Sequence, residues 1–224
     1  MTINTILTHE PRPPYHHGDL ARALLKSADE IIEAEGLEAF TLRSCARRAG
    51  VSHAAPAHHF GDRAGLLSAY AASVFRDLTL SIKTHVVEAG DDPYERLRGV
   101  GLAYIRFAIA RPGAFRLVFR CEALHQEHEE LKEAGDSGFQ VLVNVVAAII
   151  PDKDADTVLS YSLLAWSIVH GFANLWLEGN FAHAMKRHNL EPCAHADALA
   201  TQILTLVKPA FVQVSHRSVA RLDG

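Results

Sequence analysis

Residues 41–60, TLRSCARRAGVSHAAPAHHF, constrain the fold of this chain more than any other segment. Thr41 is a favoured helix N-cap, and it leads a short stretch whose apolar side chains recur at helical spacing. The glycine at position 50 tolerates the left-handed backbone that a tight turn between two helices requires. Ser52 is then placed to begin a second short helix that ends near Phe60. The segment therefore predicts a helix-turn-helix.

Positive charge is concentrated in this same segment. Residues 41–63 contain four arginines and one acidic residue, whereas residues 1–40 contain three basic and seven acidic residues. The whole chain has a formal charge of −4, but a local basic patch is sufficient to meet DNA phosphates. The pattern favours a second helix that lies in the major groove of DNA. A basic helical hairpin without a DNA role is the other interpretation.

The remainder of the chain shows helical rather than strand-like periodicity. We therefore expect an all-α fold: an N-terminal three-helix DNA-binding domain that contains the helix-turn-helix, joined by a long helix to a second helical domain. The expected boundaries are a disordered tail at 1–14, a DNA-binding domain at 15–63, a second domain at 64–215 and a flexible tail at 216–224. The predicted helices outside the motif are Asp19–Glu35, Arg63–Ala89, Tyr94–Ala110, Pro112–Cys121, a charged opening from 122 to 135 that continues to Ile150, Ala155–Leu177 and His195–Val214. Residues 180–194 are predicted as a loop that could include one turn of helix.

Several classes of protein lack support in the sequence. The three cysteines, Cys45, Cys121 and Cys193, are far apart and form no CxxC pair, which fits a reducing compartment. The first residues contain no apolar stretch of a secretory signal, and polar residues interrupt the longest apolar runs. Catalytic signatures such as GxSxG, a P-loop or HExxH are missing. We expect a cytoplasmic protein that is not an enzyme, uses no cofactor and does not bind membranes.

Two motifs in register resemble the tetracycline-repressor-type (TetR/AcrR) transcription regulators. Thr41, Ala49-Gly50-Val51-Ser52, His59-Phe60 and the run Arg63–Leu67 match the family's helix-turn-helix and the start of its long helix. The run Tyr15–Ala28 resembles the first helix of one subgroup. Trp166 followed by His170-Gly171 resembles the sensor domain of that subgroup, the WHG type. The resemblance covers nearly the whole chain and implies a ligand-responsive regulator, which in this family is most often a repressor.

The resemblance also implies which residues meet a double-stranded DNA operator. Thr41 and Arg43 would contact the backbone, and His59 and Arg63 would hold phosphates. The residues that would face base edges or methyl groups are Ser52, His53, Ala55, Pro56 and His58. Ala57 departs from the family, which commonly has an aromatic residue there. Because the recognition helix contains no Arg, Asn or Gln, we expect readout through thymine methyl groups and DNA shape.

For the second half, the resemblance implies a pocket for an apolar or aromatic effector and a homodimer that binds a pseudo-palindromic site. The predicted pocket residues are Tyr104, Phe107, Phe115, Phe119, Phe139, Val143, Trp166 and His170. Each of them could instead be ordinary core, and His170 could bond a backbone carbonyl. The apolar positions predicted to lie on the dimer face are Leu159, Leu163, Ala173 and Leu177 in one helix and Leu199, Ile203, Leu206 and Val207 in the last.

The histidines raise an alternative, a metal-responsive regulator of the same fold. His125 and His128 are three residues apart among glutamates, and His183 and His188 follow later. Such pairs do bind divalent metals, but this segment is charged and has no cysteine beside it, so a solvated helix face is the simpler interpretation. A third possibility is a helical adaptor in which the helix-turn-helix has only a structural role.

Overall fold

We describe a computed structural model of the chain, which covers residues 17–119, 121–125, 127–150, 154–189 and 192–219. These parts contain ten α-helices and no strand. The helices are α1 His17–Glu35, α2 Leu42–Ala49, α3 Ala55–Phe60, α4 Arg63–Glu88, α5 Pro93–Ala110, α6 Pro112–Val118, α7 Glu129–Ile149, α8 Ala155–Leu177, α9 Asn180–Lys186 and α10 Pro192–Val219. The predicted tail at 1–14 and residues 220–224 lie outside the described residues. The all-α prediction is confirmed.

Local capping chemistry fixes several of these boundaries. The Thr41 side chain accepts a hydrogen bond from the Ser44 amide at 2.9 Å, and the Ser44 hydroxyl accepts one from the Thr41 amide at 2.9 Å. Gly50 ends α2 with φ at 68°, a left-handed conformation that favours glycine. Asp62 Oδ1 accepts from the Gly65 amide at 2.8 Å and begins α4. The predicted caps at Thr41, Gly50 and Asp62 are confirmed.

Other predicted boundaries are wrong by a few residues. Helix α1 begins at His17, so Asp19 is not its N-cap but lies in its first turn, where it accepts a hydrogen bond from Arg22 at 2.9 Å. Helix α3 begins at Ala55, and Ser52 lies in the preceding turn, where its carbonyl accepts from the Ala55 amide at 3.1 Å. A backbone turn therefore performs the role that the sequence assigned to the Ser52 side chain.

The C-terminal helices also extend beyond their predicted ends. Residues 180–186, in the segment predicted as a loop that could include one turn of helix, form the seven-residue helix α9. Helix α10 runs from Pro192 to Val219, four residues into the predicted tail. The helix predicted to open at residue 122 begins seven residues later, because one turn of 3-10 helix occupies Cys121–Ala123 and α7 starts at Glu129. Pro209 lies inside α10, where it lacks the amide that would bond the carbonyl of Thr205.

Two hydrophobic cores share the long helix α4. The first joins α1, α2, the first half of α4 and α6. The second surrounds α5 with α7, α8, α10 and the second half of α4. Helix α4 contributes Leu66, Leu67 and Val74 to the first core, and Leu78 and Ile82 to the second. It therefore connects the helix-turn-helix rigidly to the remaining helices.

Helix α8 is apolar but poorly covered. Its mean hydropathy reaches 1.3 over an 18-residue window of which 28% is buried, and by length and composition it is the one described helix that could cross a membrane. Leu159, Leu163 and Leu164 of this helix are 46%, 43% and 42% exposed. These three leucines leave an apolar face of α8 only partly covered by the rest of the chain.

Candidate DNA-binding surface and effector cavity

Helices α2 and α3 present a continuous exposed surface. Seven of the nine residues predicted to meet DNA are exposed on or beside this surface: Thr41, Arg43, Ser52, His53, His58, His59 and Arg63. Ala55 is half-buried and Pro56 is buried. Pro56 sits in the first turn of α3, where its missing amide costs no helical hydrogen bond. Because it is buried, Pro56 packs against the rest of the motif.

Arg63 makes contacts that the sequence did not reveal. Its Nε donates to the Phe40 carbonyl and its Nη2 to the Leu37 carbonyl, each at 3.1 Å. The guanidinium carbon also lies 5.8 Å from the centre of the Phe40 ring, within the range of a cation–π contact. Arg63 therefore ties the start of α4 to the turn before α2 and holds the orientation of the motif.

Two further arginines lie on the same surface. Arg47 and Arg48 are exposed in the last turn of α2. Arg48 pairs with Glu35 of α1, whereas neither Arg43 nor Arg47 has a carboxylate partner within the described parts of the chain. Exposed and unpaired guanidinium groups are the natural partners of phosphates. The excess of arginine in the sequence was the signal for them, but it did not separate Arg47 from Arg48.

A cavity of about 680 Å³ lies between α4, α5, α7, α8 and α10. This volume is within the range of pockets for drug-sized ligands, roughly 300–1,000 Å³. Four of the eight predicted pocket residues border it: Tyr104, Phe119, Phe139 and Trp166. Other residues that border it and that the sequence did not single out include Phe75, Leu78, Tyr94, Arg98, Lys208 and Phe211.

The other four predicted pocket residues lie outside the lining. Phe115 is fully buried behind it, with its ring centre 5.5 Å from Tyr104 and 5.1 Å from Phe119. Val143 packs against the second core, and Phe107 lies beneath the guanidinium of Arg111. Helical spacing indicated which side chains point into the interior, but it could not distinguish those that border the cavity from those that pack behind it.

His170 does not border the cavity but contacts Tyr104, which does. Its Nδ1 lies 2.8 Å from the Tyr104 hydroxyl, and Trp166 Nε1 donates to the same hydroxyl at 3.2 Å. The partner of His170 is thus a phenol and not the backbone carbonyl that the sequence suggested. Burial lowers the pKa of His170 and raises that of Tyr104, so both groups are neutral near pH 7. A chain from Trp166 through Tyr104 to His170 satisfies all three polar groups.

Helix α6 joins the cavity to the DNA-binding half. Phe119, the C-cap residue of α6, borders the cavity. At its other end, the amides of Gly113 and Ala114 donate to the two carboxylate oxygens of Glu33 in α1, at 3.0 and 2.8 Å. A Cβ on Gly113 would lie 2.6 Å from the Ile32 carbonyl oxygen, so α6 is pressed against α1. A displacement of α6 would therefore also displace α1.

A neighbouring ion-pair network reinforces this joint. Arg111 binds Asp29 of α1 and donates to Asp77 of α4 at 2.9 Å. The Tyr70 hydroxyl donates to the same Asp29 carboxylate. The start of α6 is thus fastened to both α1 and α4 by charged groups.

His125, one of the histidines considered as a metal ligand, is paired with a carboxylate at the start of α4. His125 Nε2 lies 2.9 Å from Asp62 Oδ1, the carboxylate oxygen that caps α4. The amide of Gly65 and the side chain of His125 lower the pKa of Asp62. Among the described residues, no group of three or more His, Cys, Asp or Glu side chains is arranged to hold a metal ion.

An all-helical chain with an exposed helix-turn-helix and a separate cavity is a transcription regulator by architecture. Comparison with known families agrees. Residues 24–70 match the family described as "Bacterial regulatory proteins, tetR family", and residues 97–201 match the "Tetracyclin repressor-like, C-terminal domain". The chain belongs to the TetR family of transcription regulators.

Individual relatives support this assignment. The chain is 30% identical over 171 residues to the HTH-type transcriptional regulator BetI of Stenotrophomonas maltophilia, covering 75% of this chain and 82% of the relative. It is 43% identical over 81 residues to the BetI of Burkholderia thailandensis, covering 36% and 40%. A solved protein of unknown function from Rhodococcus sp. RHA1 matches 89% of this chain and 97% of its own, with 31% identity and a TM-score of 0.69.

A more distant structure shares the fold. The TetR family regulator PfmR from Thermus thermophilus matches 87% of this chain and 96% of its own at 20% identity, with a TM-score of 0.59. The matched domains and the BetI relatives are transcription regulators, not enzymes. The predictions of a TetR-family regulator and of DNA binding through a helix-turn-helix are confirmed at the level of the family.

Proposed function

We propose that the protein is a cytoplasmic repressor that binds a pseudo-palindromic operator as a homodimer and releases it when a small apolar effector enters the cavity. One observation carries the proposal. Phe119 borders the cavity at one end of α6, while two amides at the other end of the same helix are bonded to Glu33 of the DNA-binding half. A ligand that moves Phe119 therefore acts on α1 through a single short helix.

The exposed side chains of α2 and α3 are proposed to contact DNA. Arg43 and Arg47 would bind phosphates, together with Thr41 and His59, and the turn and exposed face of α3 would read the bases. Buried Pro56 and hydrogen-bonded Arg63 are proposed to hold the motif in shape. The boundary between the DNA-binding and effector-binding parts is proposed to lie within α4, because its two halves pack into different cores.

The effector is proposed to contact Tyr104, Phe119, Phe139 and Trp166, with Phe115 and His170 supporting this wall from behind. The juxtaposition of Trp166 and His170 through the Tyr104 hydroxyl also supports the WHG subgroup. A buried hydrogen-bond chain of this kind fixes the orientation of the rings that would meet the ligand.

The dimer face is proposed to consist of α8 and α10. Leu159 and Leu163 of α8 and Leu206 of α10 are exposed, as the sequence predicted. Ala173 is fully buried and is removed from the proposed face. Leu177, Leu199, Ile203 and Val207 are partly buried against the second core and remain in the proposal. A second copy of the chain would cover the exposed leucines and present two recognition helices to one operator.

Fluorescence anisotropy with DNA from upstream of the gene, beside a scrambled duplex and across a salt series, tests the proposal. We expect tight binding that prefers the upstream DNA and weakens steeply with salt. Arg43→Ala and Arg47→Ala should each reduce the salt slope by about one unit per lost phosphate contact, with Lys186→Ala in α9 as the control. Equal and weak binding to both duplexes would contradict recognition of this operator.

A further inference from the structure

The cavity is elongated, and its two ends differ in charge. The residues of α5 that border it run from Tyr94 to Tyr104, and those of α10 run from Thr201 to Phe211. Ten residues of helix span about 15 Å. Phe119 and Trp166, whose rings are in contact, border one end of the cavity next to α6. Lys208 borders the other end, at the start of α5.

The buried side chains at the end beside α6 carry no charge. Tyr104 is 6% exposed and shares its hydroxyl with Trp166 and His170. Burial holds the imidazole and the phenol in their neutral forms. Asp136, a charged lining residue one helical turn before Phe139 in α7, is exposed to solvent. An ionised ligand group placed deep at this end would lose its hydration without gaining a counter-charge.

The opposite end has an excess of positive charge. Arg98 and Glu95 form an ion pair at 2.7 Å, and each side chain is 38% exposed. The Lys208 ammonium lies 5.2 Å from the centre of the Tyr94 ring and has no carboxylate partner within the described residues. Of the four charged residues that border the cavity, both cations, Arg98 and Lys208, lie at this end with one acid, Glu95. The lysine is positioned by the ring but is not neutralised by it.

We propose that the effector is an anionic amphiphile: a carboxylate or comparable anion on an apolar body about as long as the cavity. The anion pairs with Lys208 and Arg98 at the start of α5, and the apolar body extends to Phe119 and Trp166. This inference rests on the proposed function, since it assigns a ligand class to the same cavity. It also explains how one molecule is anchored at the distant end and still reaches α6.

The experiment compares three probes with the same ten-carbon tail: decanoate, decanol and decyltrimethylammonium, each below the concentration at which it aggregates. Binding is read as displacement of the neutral dye phenylnaphthylamine, with energy transfer from tryptophan as the signal. A Trp176→Phe background leaves Trp166, which borders the cavity, as the single donor among the two tryptophans. No DNA is present, so this assay is independent of operator recognition.

We expect decanoate to bind at least about tenfold tighter than the ammonium probe. Lys208→Met keeps the length of the side chain and should reduce this preference about threefold to tenfold, while Lys208→Glu should reverse it. Lys186→Met, an exposed lysine of α9 away from the cavity, is the matched control and should leave the preference unchanged.

Three results would overturn the inference. Tighter binding of the ammonium probe would indicate a cationic effector, and equal binding of decanol and decanoate in both the wild type and Lys208→Met would indicate a neutral one. Failure of all three probes to displace the dye would exclude an amphiphile of this length. If decanoate binds as expected but does not release DNA, the ligand class stands and the proposed repressor mechanism fails.

Discussion

The two cores of this protein differ in how completely side chains fill them. In the first core, Leu24, Ile31, Phe40 and Leu66 are at most 1% exposed, and the side chains fill the space between α1, α2, α4 and α6. The second core is equally apolar, but five of its helices enclose a cavity of about 680 Å³. The comparison teaches that tight packing maintains the spacing of a DNA-reading motif, while incomplete packing leaves space for a ligand.

The largest expected effect contrasts one phenylalanine from each core. Phe40→Ala should reduce the free energy of unfolding by about 3–5 kcal/mol, because the ring is fully enclosed and its removal leaves a new hole. Phe139→Ala should cost roughly 1–2 kcal/mol, since one side of that ring already faces open space. Urea denaturation followed by circular dichroism measures both. Equal costs would show that the second core is as tightly filled as the first.

Two helical glycines make the next contrast. A Cβ at Gly65 would lie 2.1 Å from the Phe60 carbonyl oxygen, whereas at Gly135 its nearest neighbour is a Phe75 ring atom at 3.9 Å. Gly65→Ala should therefore destabilise the protein by about 1–3 kcal/mol, and Gly135→Ala should stabilise it by up to about 1 kcal/mol. Thermal unfolding of both variants is the measurement. A stable Gly65→Ala protein would mean that α3 and α4 can separate without cost.

Two arginines of the DNA-binding half should separate stability from binding. Arg63→Ala should lower the free energy of unfolding by about 1 kcal/mol, because two backbone carbonyls lose their donor. Arg43→Ala should leave stability within about 0.5 kcal/mol and weaken DNA binding. Denaturation and anisotropy on the same preparations compare them. A loss of stability in Arg43→Ala would show that this side chain has a structural partner.

The smallest effect concerns pH and the second core. Because burial lowers the pKa of His170, the unfolded chain takes up a proton at higher pH than the folded one. The stability due to this group is fully present above its ordinary pKa of 6.5 and is lost as pH falls through the lower folded value. His170→Gln should flatten the stability profile between about pH 7.5 and 5, measured by urea midpoints. Exposed His183→Gln is the control, and an equal flattening there would remove the effect from His170.

Much of the DNA-binding half was determined by short-range sequence signals. The caps at Thr41 and Asp62 and the left-handed turn at Gly50 involve residues within four positions of one another. Such interactions are nearly independent of the remaining fold, which is why the motif and most helix boundaries were predictable. At Ser52 the prediction was wrong because a backbone turn competes with a side-chain cap over the same three residues, and in segment 180–194 the local sequence indicated no more than one turn of the helix α9.

Tertiary structure alone decided the cavity and its connection to α1. The residues that border the cavity come from five helices and are spread over more than a hundred positions of the sequence. Periodicity cannot distinguish Tyr104, which borders the cavity, from Phe115, which lies behind it. The partners of His170, Arg63 and Glu33 likewise come from distant segments. Sequence periodicity reports which face of a helix is apolar, but only the packing of several helices determines whether that face is filled or left open.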